Sequence, residues 1–167
     1  YGLHFHLDGE GARGSIVEGV VVKHCGFLGI VTHESHGVTH RKNIVYDCEN
    51  SGFIWDRHTI TRDCLYDTCV SAFIHQKVQG FRIAGFDLES GFGNIMRGCL
   101  DVGIQMDGSN QETSGVTWPE GSTQPVDGVD PGGVWTVENH TSLANWGWGV
   151  FTWQNDSKFH VVPNIGK

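Results

Sequence analysis

A short phrase recurs along the chain: a small residue, two or three strand formers, then a polar residue. It reads Gly29-Ile30-Val31-Thr32-His33, Gly52-Phe53-Ile54-Trp55-Asp56, Ala72-Phe73-Ile74-His75-Gln76, Gly103-Ile104-Gln105-Met106-Asp107 and Gly149-Val150-Phe151-Thr152-Trp153. The opening Phe5-His6-Leu7-Asp8-Gly9 fits the same template. From Phe5 to Ile30 is 25 residues, from Ile30 to Phe53 is 23, and from Phe53 to Phe73 is 20. The later gaps widen to 31 and 46, which implies inserted loops. A period in the low twenties, with short β-rich units and no helical periodicity, suits one turn of a solenoid per repeat. The pattern therefore predicts an all-β chain, a right-handed parallel β-helix of about six coils. Residues 1–167 would form one such segment.

The strand-like Val20-Val21-Val22, Ile44-Val45-Tyr46 and Cys64-Leu65-Tyr66 supply another wall of each coil. Cys25, Cys48 and Cys99 each lie five residues before the aligned apolar position, and Cys69 lies four before its own. The spacing predicts an internal ladder of free thiols, which pack as small hydrophobes. A leucine-rich repeat lacks its asparagine and leucine spacing here. A β-sandwich would not return the same phrase in register. From about Ser109 to Gly133 the pattern gives way to Gly, Ser, Thr, Pro, Gln and Asp, read as a long inserted loop over 109–133.

Composition narrows the function. Glycine is abundant at 24 residues and proline scarce at 4, as many tight turns require. The formal charge of −8 excludes nucleic acid as the main partner, since phosphate binding needs a basic stripe. No apolar run reaches the roughly 20 residues of a membrane helix, so no direct membrane span is expected. The chain begins at Tyr1 rather than Met and reads as a piece of something longer. The sequons at Asn139 and Asn155 point to a secreted or cell-surface glycoprotein.

Strand residues alternate in facing. With the aligned apolar residues inward, Asp8, His33, Asp56, Gln76 and Asp107 face outward as a polar column, one per coil. His4 and His6 share that outward parity. Setting His6 against His33 instead of Phe5 against Ile30 shifts the first coil by two residues and preserves every facing. His75 and Trp55 are placed inward. Three chemistries suit the column. Asp56 and Asp8, with His33 tuning a proton affinity, would form an acid/base set for carbohydrate hydrolysis. His4, His6, His33 and Asp56 would hold a zinc- or copper-like ion. Calcium on the aspartates would need further oxygen ligands. Gln76, Asp107 and Trp118 would contact a bound sugar, Trp118 being one of several tryptophans in the last third. A merely solvated outer face is the plain alternative.

His4-Phe5-His6-Leu7, Val31-Thr32-His33, Asn43-Ile44-Val45-Tyr46-Asp47 and Gly52-Phe53-Ile54-Trp55-Asp56 follow one another in an order that resembles the β-helix region of fibrocystin-like proteins and the cell-surface hyaluronidases related to them. The resemblance covers roughly the first half of the chain. Glu34 stands where the family usually has glycine, and Trp55-Asp56 where it has an acidic pair. The resemblance implies an extracellular β-helix, a glycan partner and calcium as the divalent cation, where the histidine set by itself suits zinc. Two functions stay open. One is a glycan-interacting, polysaccharide-cleaving domain of hyaluronidase-like type. The other is a structural or adhesive module whose coils continue into other copies or neighbouring β-helix segments.

Overall fold

The computed structural model describes residues 1–55, 61–75, 83–88, 91–105, 113–117, 135–151, 160–162 and 165–166. It is a right-handed parallel β-helix with three six-stranded walls. Sheet A stacks Leu3–Gly9, Leu28–Ser35, Ser51–Trp55, Ile83–Asp87, Thr113–Thr117 and Trp148–Phe151. Sheet B stacks Ile16–Glu18, Thr39–Arg41, Leu65–Asp67, Asn94–Arg97, Trp135–Glu138 and His160–Val162. Sheet C stacks Val21–Lys23, Ile44–Tyr46, Val70–Ala72, Leu100–Val102, Thr141–Leu143 and Ile165–Gly166. Every pairing between them is parallel, each strand bonding to its counterpart one coil away. Among the described residues no helix is long and apolar enough to cross a membrane.

The corners explain how three-residue strands turn so sharply. Between sheets B and C, Gly19, Lys42, Thr68, Gly98 and Asn139 stack with φ from 51° to 69°. Between sheets C and A, His24, Asp47, Phe73, Gly103 and Ala144 stack with φ from 52° to 65°. One left-handed residue turns each of these corners. The conformation costs a residue with a Cβ about 1 to 2 kcal/mol, so the surrounding ladder must impose it.

Registration follows the phrase only in part. In sheet A the interior column is Leu3, Ile30, Phe53, Phe86 and Val116, with the exposed Val150 continuing the register. The first coil obeys the shifted alignment, with His6 opposite His33 and Phe5 opposite Thr32. Phe73 does not follow Phe53; Phe86 does, and their rings stack 4.9 Å apart with planes 8° from parallel. Residues 72–75 and 103–105 of these phrases belong to the end of sheet C and the corner after it. Phe73 is exposed there, and Ile74 and Ile104 point inside. A small residue followed by apolar ones recurs twice per coil, so reading by that phrase slips from one wall to another.

The thiol ladder divides for the same reason. Cys25 and Cys48 stack after sheet C, where the Cys25 amide approaches the Cys48 sulfur at 3.3 Å. Cys69 and Cys99 stack before sheet C, and Cys64 lies before sheet B. All five are free, and all but Cys25 are buried. The segment expected as a loop over 109–133 contributes a buried wall strand, Thr113–Thr117. Two of its buried polar side chains, Ser114 and Thr117, bond each other at 2.6 Å. The rest of that segment lies outside the described residues.

Two interior columns define the cross-section. In sheet B, Val17, His40, Tyr66, Met96 and Val137 point inward. In sheet C, the inward column is Val22, Val45, Ser71, Asp101 and Ser142. It faces a glycine from every coil of sheet A: Gly2, Gly29, Gly52, Gly85, Gly115 and Gly149. The two walls meet here almost backbone to side chain. A Cβ on Gly29 would stand 2.3 Å from the Gly52 carbonyl oxygen and 2.5 Å from Val45. Buried asparagines tie successive coils. Asn43 accepts from the Val20 amide and donates to the Val17 carbonyl, both at 2.9 Å.

His40 makes folding acid-sensitive. It is fully buried beside Thr32, with Nε2 and Oγ1 2.9 Å apart, and burial lowers its pKa from 6.5 to about 3. The unfolded chain therefore binds a proton that the folded one refuses. This contribution to stability is complete above pH 6.5 and is lost as the pH falls towards 3. Between pH 6.5 and 5 the loss should be about 2 kcal/mol. Urea titrations across that range check it. His40→Met, matching the stacked Met96, should flatten the slope, and an unchanged slope would refute the assignment.

The outer side of sheet B carries a ladder of alternating sign: Glu18, Arg41, Asp67, Arg97 and Glu138. Arg41 bonds Glu18 at 2.9 Å and Arg97 bonds Asp67 at 3.0 Å. Arg97 lowers the Asp67 pKa, and Arg41 lowers that of Glu18. Each exposed pair is worth only about 0 to 1 kcal/mol.

Candidate functional site

The first two strands of sheet A place three imidazoles on its outer face. His4 and His6 are two residues apart and share a side, and His6 lies directly opposite His33 on the next coil. His6 Nδ1 stands 3.3 Å from His4 Nε2. The His6 ring centre lies 4.8 Å from those of both His4 and His33. One ligand atom from each of the three falls within 4.8 Å of the others. His6 is exposed, while His4 and His33 are half-buried.

A bulge ends the first strand just beyond this cluster. Leu7 takes φ 58°, and the pairing shifts between His6 and Gly9. Asp8 secures the bulge: its carboxylate accepts from the His6 amide at 3.2 Å and from the Ser35 hydroxyl at 3.3 Å. Asp8 is thus exposed beside Ser35, and His6 holds the position opposite His33. On the same side of sheet A as His33, Val31 and Ile54 pack with Leu28 and Phe27 into a small apolar cluster apart from the main core.

Asp56, Gln76, Asp107, Trp118 and Asn155 lie outside the described residues, as does the side chain of Trp55. Asn139 is exposed at its left-handed corner. His75, expected inside, stands half-buried on the outer corner with Nε2 3.1 Å from Asp47 Oδ1. The tryptophans separate: Trp135 is fully buried, whereas Trp146 and Trp148 are exposed.

The donor set indicates what this cluster can hold. Three imidazoles suit zinc, copper, iron or nickel, and leave coordination positions for water or substrate. Calcium takes oxygen ligands, of which the cluster itself offers none.

Fold and site together define a parallel β-helix protein with an imidazole cluster on an outer sheet face. No family model matches the chain, and no curated protein does. Among solved structures, the crystal structure of alginate lyase from Paenibacillus sp. str. FPU-7 is similar at 10% identity and a TM-score of 0.43, covering 89% of this chain and 73% of that one.

Proposed function

We propose that this chain is an extracellular, glycan-interacting β-helix domain whose polysaccharide-cleaving chemistry centres on a zinc-class ion held by His4, His6 and His33. The convergence of three imidazoles within 4.8 Å carries the reading. A bound ion of this class supplies Lewis acidity and an activated water. The chain's own contribution is placement. The ladder pairing of His6 with His33 fixes two rings, and the bulge held by Asp8 fixes the end of the strand that carries the third. Asp56 as a further ligand or acid/base, and Gln76, Asp107 and Trp118 as sugar contacts, would extend the site. The formal charge of −8 favours a neutral glycan, or an acidic one bridged by the cation. The similarity in the first half to fibrocystin-like proteins and the related hyaluronidases accords with this, as does the exposed sequon at Asn139.

Isothermal titration with zinc tests the centre. His6→Ala and His33→Ala should each weaken binding at least as much as loss of an outer-shell partner does, about 10- to 100-fold, with the β-rich circular dichroism unchanged. Chain-length loss in a panel of neutral and acidic polysaccharides, with and without chelator, tests the chemistry. A wild type that neither binds zinc nor shortens any glycan would leave the adhesive reading. That reading has its own support in the apolar outer side of sheet C, where Val21, Ile44 and Tyr46 are exposed.

A further inference from the structure

A second group of ligating side chains sits on the corner between sheets C and A. The residues His24, Cys25, Gly26, Asp47, Glu49 and His75 line a pocket of about 330 Å³. The stacking explains it. His24 and Asp47 occupy the same left-handed corner position on successive coils, so both side chains project outward. Two residues on, Gly26 and Glu49 share a position, and Glu49 bridges to His75 on the third coil. Gly26 contributes no side chain to this grid, and the pocket opens beside it.

Asp47 organises the rim. Its Oδ2 lies 2.8 Å from His24 Nδ1, and its Oδ1 lies 3.1 Å from His75 Nε2. One carboxylate thus holds two imidazoles, one on each oxygen. Ligand atoms bonded at 2.0 to 2.2 Å to a tetrahedral ion lie roughly 3.4 Å from one another, so each of these pairs is already near an edge of such a polyhedron. The two rings do not yet converge as the first three imidazoles do. His24 is well exposed, its side chain at 60% of full accessibility, and has room to swing towards the pocket. Glu49 supplies a second carboxylate from the pocket wall, and Cys25 a thiol that donates to the Leu28 carbonyl at 3.0 Å.

We propose that His24, Asp47 and His75 form a second divalent transition-metal site, of mixed imidazole and carboxylate type, on the corner between sheets C and A. The two-histidine, one-carboxylate set leaves positions for water or for the oxygens of a ligand, and the pocket is larger than an ion alone requires. The site is separate from the three-histidine cluster. His24 precedes the Leu28–Ser35 strand, whereas His33 lies near its end, roughly 15 Å further along.

Equilibrium dialysis against cobalt(II) or zinc, with the metal counted per chain, distinguishes the two sites. The whole chain should take up two equivalents. His4→Ala with His6→Ala should leave one, and that one should vanish when Asp47→Asn and His75→Ala are added. Asp47→Asn with His75→Ala alone should also leave one. If these corner substitutions leave uptake unchanged, or if the His4/His6 variant retains none, the second site is refuted. In the latter case the first site stands. Circular dichroism on every variant excludes unfolding as the cause, and His75→Gln is the milder substitute where His75→Ala unfolds.

Discussion

Gly29→Ala is expected to destabilise the domain by about 3 kcal/mol or more, enough to leave little soluble folded protein. The added methyl would meet the carbonyl oxygen of Gly52 on the next coil and the Val45 side chain across the interior. The carbonyl belongs to the sheet ladder and cannot retreat without breaking it. Gly11→Ala is the control, because nothing lies within 4 Å of that Cβ and it should be nearly neutral. Thermal unfolding followed by circular dichroism gives both values. Equal, small effects would show that sheets A and C are further apart than the glycine column indicates.

Asp101→Ala should cost about 3 to 5 kcal/mol, the usual effect of removing one member of a buried polar group. Asp101 is fully buried, and its carboxylate holds His140 at 2.5 Å, the Ser142 hydroxyl at 2.7 Å and the Asn145 amide. Asn145 in turn accepts the Ile104 amide at 2.9 Å, which carries the network into the next corner. Truncation would strip the shared acceptor from three donors, of which His140 and Ser142 are buried. Asp101→Asn should cost less, since its amide oxygen retains one acceptor. Urea denaturation measures both, and a loss below about 1 kcal/mol for Asp101→Ala would mean the network contributes little.

The fold was legible because its defining property, a return to the same phrase each coil, is a property of spacing. Outward facing of His4, His6 and His33 was legible too, since alternation is indifferent to a slip of two residues. Registration beyond the third coil was not. Phe73 and Phe86 follow the same kind of small residue, and only the pairing of Phe53 with Phe86 separates wall from corner. The buried Thr113–Thr117 strand was hidden by its polarity, part of which is met by the bond between Ser114 and Thr117. The corner pocket leaves a trace in the sequence. His24 and Asp47 immediately precede Cys25 and Cys48, which share one offset from the aligned apolar positions. Recognising them as neighbours required knowing that a left-handed residue turns each coil.

The alternating ladder on sheet B has a consequence for how such a chain can lengthen or shorten. Excising the coil that carries Arg41 would set Glu18 against Asp67, like against like. Excising the coils of both Arg41 and Asp67 would set Glu18 against Arg97 and restore complementarity. Duplication obeys the same arithmetic. This wall thus adds a small parity bias, about 0 to 1 kcal/mol per pair, towards adding or losing whole turns in twos.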